Sequence, residues 1–64
     1  MKINIENVLK LQNKSMYWLS KETGIAYPTI HNIVKGKTEK IEFNTMEKIA
    51  KALDVGLDEI FIVE

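Results

Sequence analysis

Gly24, Pro28, Gly36 and Gly56 cut the apolar pattern of this chain into short pieces, so any fold it reaches must pack several short helices on one another. The first helical piece runs from Ile5 to about Gln12. Asn4 is its candidate cap, Glu6 lies in its first turn, and Ile5, Val8 and Leu9 follow i, i+3, i+4 spacing, with Ile3 placed to staple onto Val8. The second runs from Met16 to Thr23, opened by Ser15 and closed by Gly24 as a left-handed residue. The third runs from Pro28 to about Lys35, because proline suits the first helical position and forces Tyr27 before it to be extended; Gly36 stops it. A basic loop, Lys37-Thr38-Glu39-Lys40, leads into Ile41-Glu42-Phe43, whose alternation sends Ile41 and Phe43 to one side. Asn44-Thr45-Met46-Glu47 fits a capping box, and Met46, Ile49, Ala50 and Leu53 make the stripe of a fourth helix. After Asp54-Val55-Gly56, Leu57 to about Phe61 forms a last short turn. The expected fold is all-α, with five helices around one core and residues 1–64 as a single domain.

A chain of 64 residues buries only about 60% of its unfolded surface and needs a staple, economical packing or a partner subunit. With no Cys and a single His, disulfides, zinc fingers, iron-sulfur clusters and a Ser-His-Asp set are excluded or made remote, and no metal or cofactor is expected. Self-association is therefore expected. The start Met-Lys-Ile-Asn-Ile-Glu lacks the apolar run of a signal peptide, and no stretch approaches the roughly 18 to 20 apolar residues of a membrane span. The expectation is a soluble, cytoplasmic chain with no membrane partner.

The net charge of zero hides a division along the chain. Met1 to Ile41 carries seven Lys against three Glu, a balance of +4, and Glu42 to Glu64 carries two Lys against six acids, a balance of −4. One face suited to a polyanion and another pointing away from it would account for this, as would an ordinary mixed surface. All nine basic residues are Lys, so the guanidinium fork that most often reads guanine is missing. Point charges of this kind suit phosphates better than bases.

Two short helices joined by a tight glycine turn form a helix-turn-helix, in which the second helix enters the DNA major groove. Leu19, Thr23, Ile25, Ile30 and Ile33 can face inward here, Ser20 is small where helix must approach helix, and Gly24 sits at the turn. A generic helical hairpin has no need of a small residue four positions before a glycine and apolar residues one, six and nine positions after it.

Nearly the whole chain, from the first helix to Phe61, resembles the Cro/CI-type (XRE-like) helix-turn-helix family. The matching blocks are Tyr17-Trp18-Leu19-Ser20-Lys21-Glu22-Thr23-Gly24-Ile25, Thr29-Ile30, Gly36-Lys37-Thr38, Ile41 through Leu53, and Leu57-Asp58-Glu59-Ile60-Phe61. The last two resemble the small stand-alone regulators of bacteria, phages and mobile elements. The resemblance implies a lambda-repressor-like fold and operator binding on double-stranded DNA, usually as a homodimer and without catalysis. A transcriptional repressor on a palindromic operator is the leading expectation.

At about 100° per residue, Ile30, Ile33 and Val34 share one side of the third helix, while Pro28, His31, Asn32 and Lys35 cluster about 150° away. Asn can pair with adenine N6 and N7, and His31 can reach an acceptor edge. Tyr27, at the helix entrance, can meet a thymine methyl or a phosphate. The family pattern places Tyr27, Pro28 and Asn32 at base-reading positions, with Thr29 beside them able to reach a phosphate. Further phosphate contacts fall to Ser15 and the free amides of Met16 and Tyr17 at a helix start, to Lys21 nearby, and to Lys35, Lys37 and Thr38, where the family places another backbone contact. Tyr17 and Trp18 otherwise read as packing side chains, and Met16 and Met46 as core.

The run Ile60-Phe61-Ile62-Val63 is more apolar than one small core can shelter, which marks it as a dimer interface; alternatively Ile60 and Phe61 close the chain's own core. Its alternation also suits a short strand paired with Met1-Lys2-Ile3-Asn4, within one chain or between two. The competing functional class is a protein-interaction module on the same fold, such as an antitoxin or anti-repressor with a partner of unknown identity. Tyr, Pro, Thr, His, Asn and Lys on the outer face of the third helix suit DNA, whereas an interaction face would carry large apolar residues there. An enzyme finds no support, since the acids of the C-terminal half have no companion base and read as a solvated face.

Overall fold

Five helices and a pair of two-residue strands form among residues 2–38 and 40–63, which a computed structural model of the chain describes. Met1 of the expected strand and Glu39 of the basic loop lie outside the described residues. The order is β1 (Lys2–Ile3), α1 (Ile5–Leu11), α2 (Met16–Thr23), α3 (Tyr27–Val34), α4 (Phe43–Leu53), α5 (Leu57–Ile60) and β2 (Phe61–Ile62). Every helix puts its apolar stripe into one cluster: Ile5, Val8 and Leu9 from α1, Leu19 from α2, Ile30, Ile33 and Val34 from α3, Ile49, Ala50 and Leu53 from α4, then Ile60 and Phe61. Met16, Trp18, Ile25, Ile41 and Met46 are half-buried against it.

Local chemistry explains where α2 stops and α3 starts. The Ser15 hydroxyl accepts the N–H of Trp18 at 3.0 Å, and Gly24 ends α2 with φ +75°. The turn is then held by side chains. Ser20 Oγ donates to the carbonyl of Ile25, while Thr23 Oγ1 donates to the carbonyl of Leu19 at 2.7 Å and accepts the Ile25 N–H at 3.2 Å. Ser20 is thus more than small: its hydroxyl closes the turn. A Cβ added at Gly24 would meet nothing within 4 Å, so Gly24→Ala meets only the backbone penalty of a left-handed alanine, about 1 to 2 kcal/mol, and a urea melt is expected to show that loss with an unchanged slope.

Several boundaries differ from expectation. Tyr27 is the first residue of α3 rather than an extended residue, and Pro28 is the second; an N–H at the second position has no carbonyl one turn back within the helix to donate to, so the ring fits there equally well. Ala26 caps α3 with no side-chain bond. Likewise α4 begins at Phe43, so Asn44 lies inside the helix and Glu42 is the cap position. Ile41 and Phe43 do not share a side, because strand alternation fails once the chain turns helical, and Phe43 is 60% exposed. Asn4 stands at the N-cap of α1 but makes no side-chain cap bond. Its backbone N–H donates to the Ile60 carbonyl at 2.8 Å and its side-chain amide to the Glu59 carbonyl at 3.1 Å, which stitches the start of α1 to the end of α5. At the other end of α1, Gln12 Nε2 donates to the last carbonyl of α4, on Leu53, at 2.7 Å.

β1 and β2 pair antiparallel within the chain, Lys2 opposite Ile62 and Ile3 opposite Phe61. Ile60 and Phe61 are buried in the protomer's own core, Ile62 is half-buried, and Val63 is 86% exposed. Among the described residues, no helix is long and apolar enough to cross a membrane.

Candidate nucleic-acid interface

The α3 helix separates a buried stripe from an outer face. Ile30 and Ile33 are essentially sealed and Val34 is buried, while Tyr27, Pro28, Thr29 and Asn32 are exposed and His31 is half-buried. Tyr27 and His31, one turn apart, bring their rings to 6.3 Å between centroids with planes tilted by 34°. Among the described residues, no hydrogen bond engages the Asn32 side-chain amide, so its donor and acceptor stand free together on the exposed face.

The far end of α3 is set by its cap. Lys35 N–H donates to the His31 carbonyl, Gly36 N–H to Ile33 and Lys37 N–H to Asn32, with Gly36 at φ +71°, a Schellman-type closure. That closure fixes where Lys37 leaves the helix. Lys35 and Lys37 are exposed and Thr38 is half-buried. Lys35 is not free in the protomer: its ammonium lies 2.8 Å from the Glu6 carboxylate on α1. The hydrogen bond from Lys35 and its charge, with Lys10 adding, hold the Glu6 carboxyl below the ordinary carboxylate range.

At the start of α2, Ser15 is exposed and Met16 half-buried. Because Ser15 Oγ accepts from Trp18, its hydroxyl hydrogen remains available to an acceptor. Tyr17 is 60% exposed rather than packed, since it lies on the opposite side of α2 from Leu19, and the ammonium of Lys21 sits 5.1 Å from its ring centroid. Trp18 keeps the expected packing role but also carries the Lys14 ammonium 3.9 Å above its ring.

This corner holds residues that sequence reasoning missed. Lys10, Asn13, Lys14, Ser15 and Trp18 line one shallow groove at the α1–α2 junction. Lys10 carries no sequence signal of its own, because only the turn after α1 brings it beside Ser15. Asn13, at φ +58°, makes that turn, and the Lys14 N–H donates to the Leu9 carbonyl. Among the described residues, no group of three His, Asp or Glu could hold a metal. The C-terminal acids Glu47, Asp54 and Glu59 share a groove with Lys48 and Lys51 along α4 and α5, apart from every residue of the α3 outer face.

A short glycine turn between α2 and α3, a sealed inner stripe and a polar outer face give α3 the form of a reading helix. The sequence model of the Cro/C1-type HTH DNA-binding domain matches residues 4–64. The chain belongs to that family. No curated protein matches the chain at a significant level. Membership makes this Cro/C1-type domain a DNA-binding regulator rather than an enzyme.

Proposed function

We propose that this Cro/C1-type domain is a sequence-specific regulator that binds a palindromic operator in double-stranded DNA as a homodimer and represses by occupying it. Tyr27, Pro28, His31 and Asn32 read base edges from α3. Ser15 with the amides of Met16 and Tyr17, together with Lys21, Thr29, Lys35, Lys37 and Thr38, holds phosphates on either side. Lys10 and Lys14, beside Ser15 in the same groove, join that set.

The observation that carries this reading is the pairing on α3 of a buried Ile30–Ile33–Val34 stripe with an exposed face holding Asn32, Thr29, Pro28 and Tyr27. A protein-docking face would present large apolar side chains there. The test is a band shift on duplexes selected from a random library. A discrete complex that survives excess random duplex supports the reading, and binding that random duplex competes away at parity contradicts it.

Dimerisation through the C-terminal segment uses what the protomer leaves uncovered, Ile62 and Val63, since Ile60 and Phe61 are already buried. The protomer is 27 Å in its longest dimension, so two copies side by side can set their reading helices about 34 to 36 Å apart, one turn of DNA. Sedimentation over a concentration series is expected to show a dimer for the wild type and a monomer for Ile62→Asp with Val63→Asp, with operator affinity falling at least about tenfold as the second half-site contact is lost. A wild type that stays monomeric at high micromolar concentration, with operator binding unaffected in the double variant, would place any dimer elsewhere.

A further inference from the structure

Glu6 is an acid inside the basic half of the chain, and it occupies a lysine at the end of the reading helix. The two residues are 29 positions apart, come from α1 and the C-cap of α3, and meet at 2.8 Å with side chains 53% and 39% exposed. A phosphate approaching this end of α3 meets an ammonium already neutralised by a carboxylate, with that carboxylate's charge beside it. From this juxtaposition we infer that Glu6 is an internal competitor for the phosphodiester: the Glu6 carboxylate and a DNA phosphate take the Lys35 ammonium in turn, and Glu6 sets the affinity and salt dependence of the interface without touching DNA. The inference rests on the DNA-binding reading above, which puts Lys35 against a phosphate.

The pair is exposed, so the exchange is cheap. Releasing a solvent-exposed ion pair by Glu6→Gln is expected to tighten binding about 1.5-fold to 5-fold. The gain falls equally on preferred and random duplexes, because a phosphate contact carries no sequence information. With Lys35 no longer paired, it neutralises a phosphate in full and releases the cation condensed there, so the slope of log K against log salt steepens by up to about 0.9.

The experiment compares wild type, Glu6→Gln, Lys35→Ala and the double variant by fluorescence anisotropy on one labelled duplex across a salt series. Competition through Lys35 requires that Glu6→Gln tightens binding in the wild type and does much less when Lys35 is absent. A carboxyl carbon NMR titration gives a readout without any variant affinity. Glu6 in the free protein titrates below the ordinary carboxylate range, Lys35→Ala returns it there, and added duplex shifts the wild-type carboxyl signal toward that of Lys35→Ala. Three results overturn the inference alone: weaker binding by Glu6→Gln, which would make Glu6 a positioning residue for Lys35; equal tightening with and without Lys35, which would make it a remote repulsive charge; or a Glu6 signal indifferent to duplex. A wild type that binds no duplex overturns the functional reading and this inference together.

Discussion

Leu19→Ala is expected to remove about 2 to 5 kcal/mol of unfolding free energy. Leu19 is fully buried on α2, the helix that packs against both α3 and α4, so its loss opens a cavity where three helices meet. At about 0.05 to 0.15 kcal/mol per residue, a chain of 64 residues has about 3 to 10 kcal/mol in total, so this one substitution takes a large share of it. Leu11→Ala is the matched control, the same chemistry at a site that is 80% exposed, and it is expected to change stability by no more than about 0.5 kcal/mol. Urea denaturation followed by circular dichroism measures both. A Leu19→Ala loss below about 1 kcal/mol, or a Leu11→Ala loss as large as that of Leu19→Ala, would contradict the core described here.

Leu19 and Leu11 also show which parts of the fold were legible in the sequence. Burial of Leu19 follows from its place in a helix-turn-helix spacing, where Ser20, Gly24, Ile25, Ile30 and Ile33 constrain one another, and all of the apolar members of that set face the core. The five helices follow from periodicity and punctuation for the same reason: the signals are local, and glycine or proline acts on its own turn. Boundaries were less legible. Asn44 and Asn4 both look like caps, yet α4 starts one residue before Asn44, and Asn4 bonds to the Glu59 and Ile60 carbonyls 55 and 56 positions away instead. A short polar side chain has several possible partners, and tertiary packing chooses among them. Whether the terminal strands pair within or between chains was open for the same reason, and the in-chain register Ile3 opposite Phe61 decides it.

The candidate interface divides along the same line. A helical wheel suffices to separate Ile30, Ile33 and Val34 from Asn32 and Pro28, because that separation belongs to one helix. The Glu6–Lys35 pair, the Lys14 ammonium over Trp18 and the convergence of Lys10 with Ser15 depend on how α1 meets α2 and α3, and no sequence period carries that. On the proposed reading the outer face of α3 and the lysines beyond it follow from sequence, whereas the contacts between helices that would adjust binding strength do not.

Asn32→Ala is the second large effect. A bidentate pair between a side-chain amide and an adenine is worth about 1 to 3 kcal/mol of discrimination, and Asn32 is the exposed residue of α3 whose amide can form it. The loss is expected on the preferred duplex and not on random duplex, because non-specific binding runs through phosphates, which the proposed function assigns to Ser15, Lys35 and Lys37. Folding is expected to be indifferent, since the side chain is exposed and bonds to nothing among the described residues. Thermal denaturation of Asn32→Ala, matching wild type within about 0.5 kcal/mol, keeps a binding loss from being read as unfolding.

The central claim, that α3 reads sequence through its outer face, is tested most directly by one ratio: affinity for the selected duplex over affinity for random duplex, measured for wild type and Asn32→Ala at the same salt concentration. For the wild type the account predicts a ratio of at least about a thousandfold, and for Asn32→Ala a ratio lower by about 5-fold to 150-fold with random-duplex affinity unchanged. A wild-type ratio near one, or a variant that loses equally on both duplexes, would contradict it.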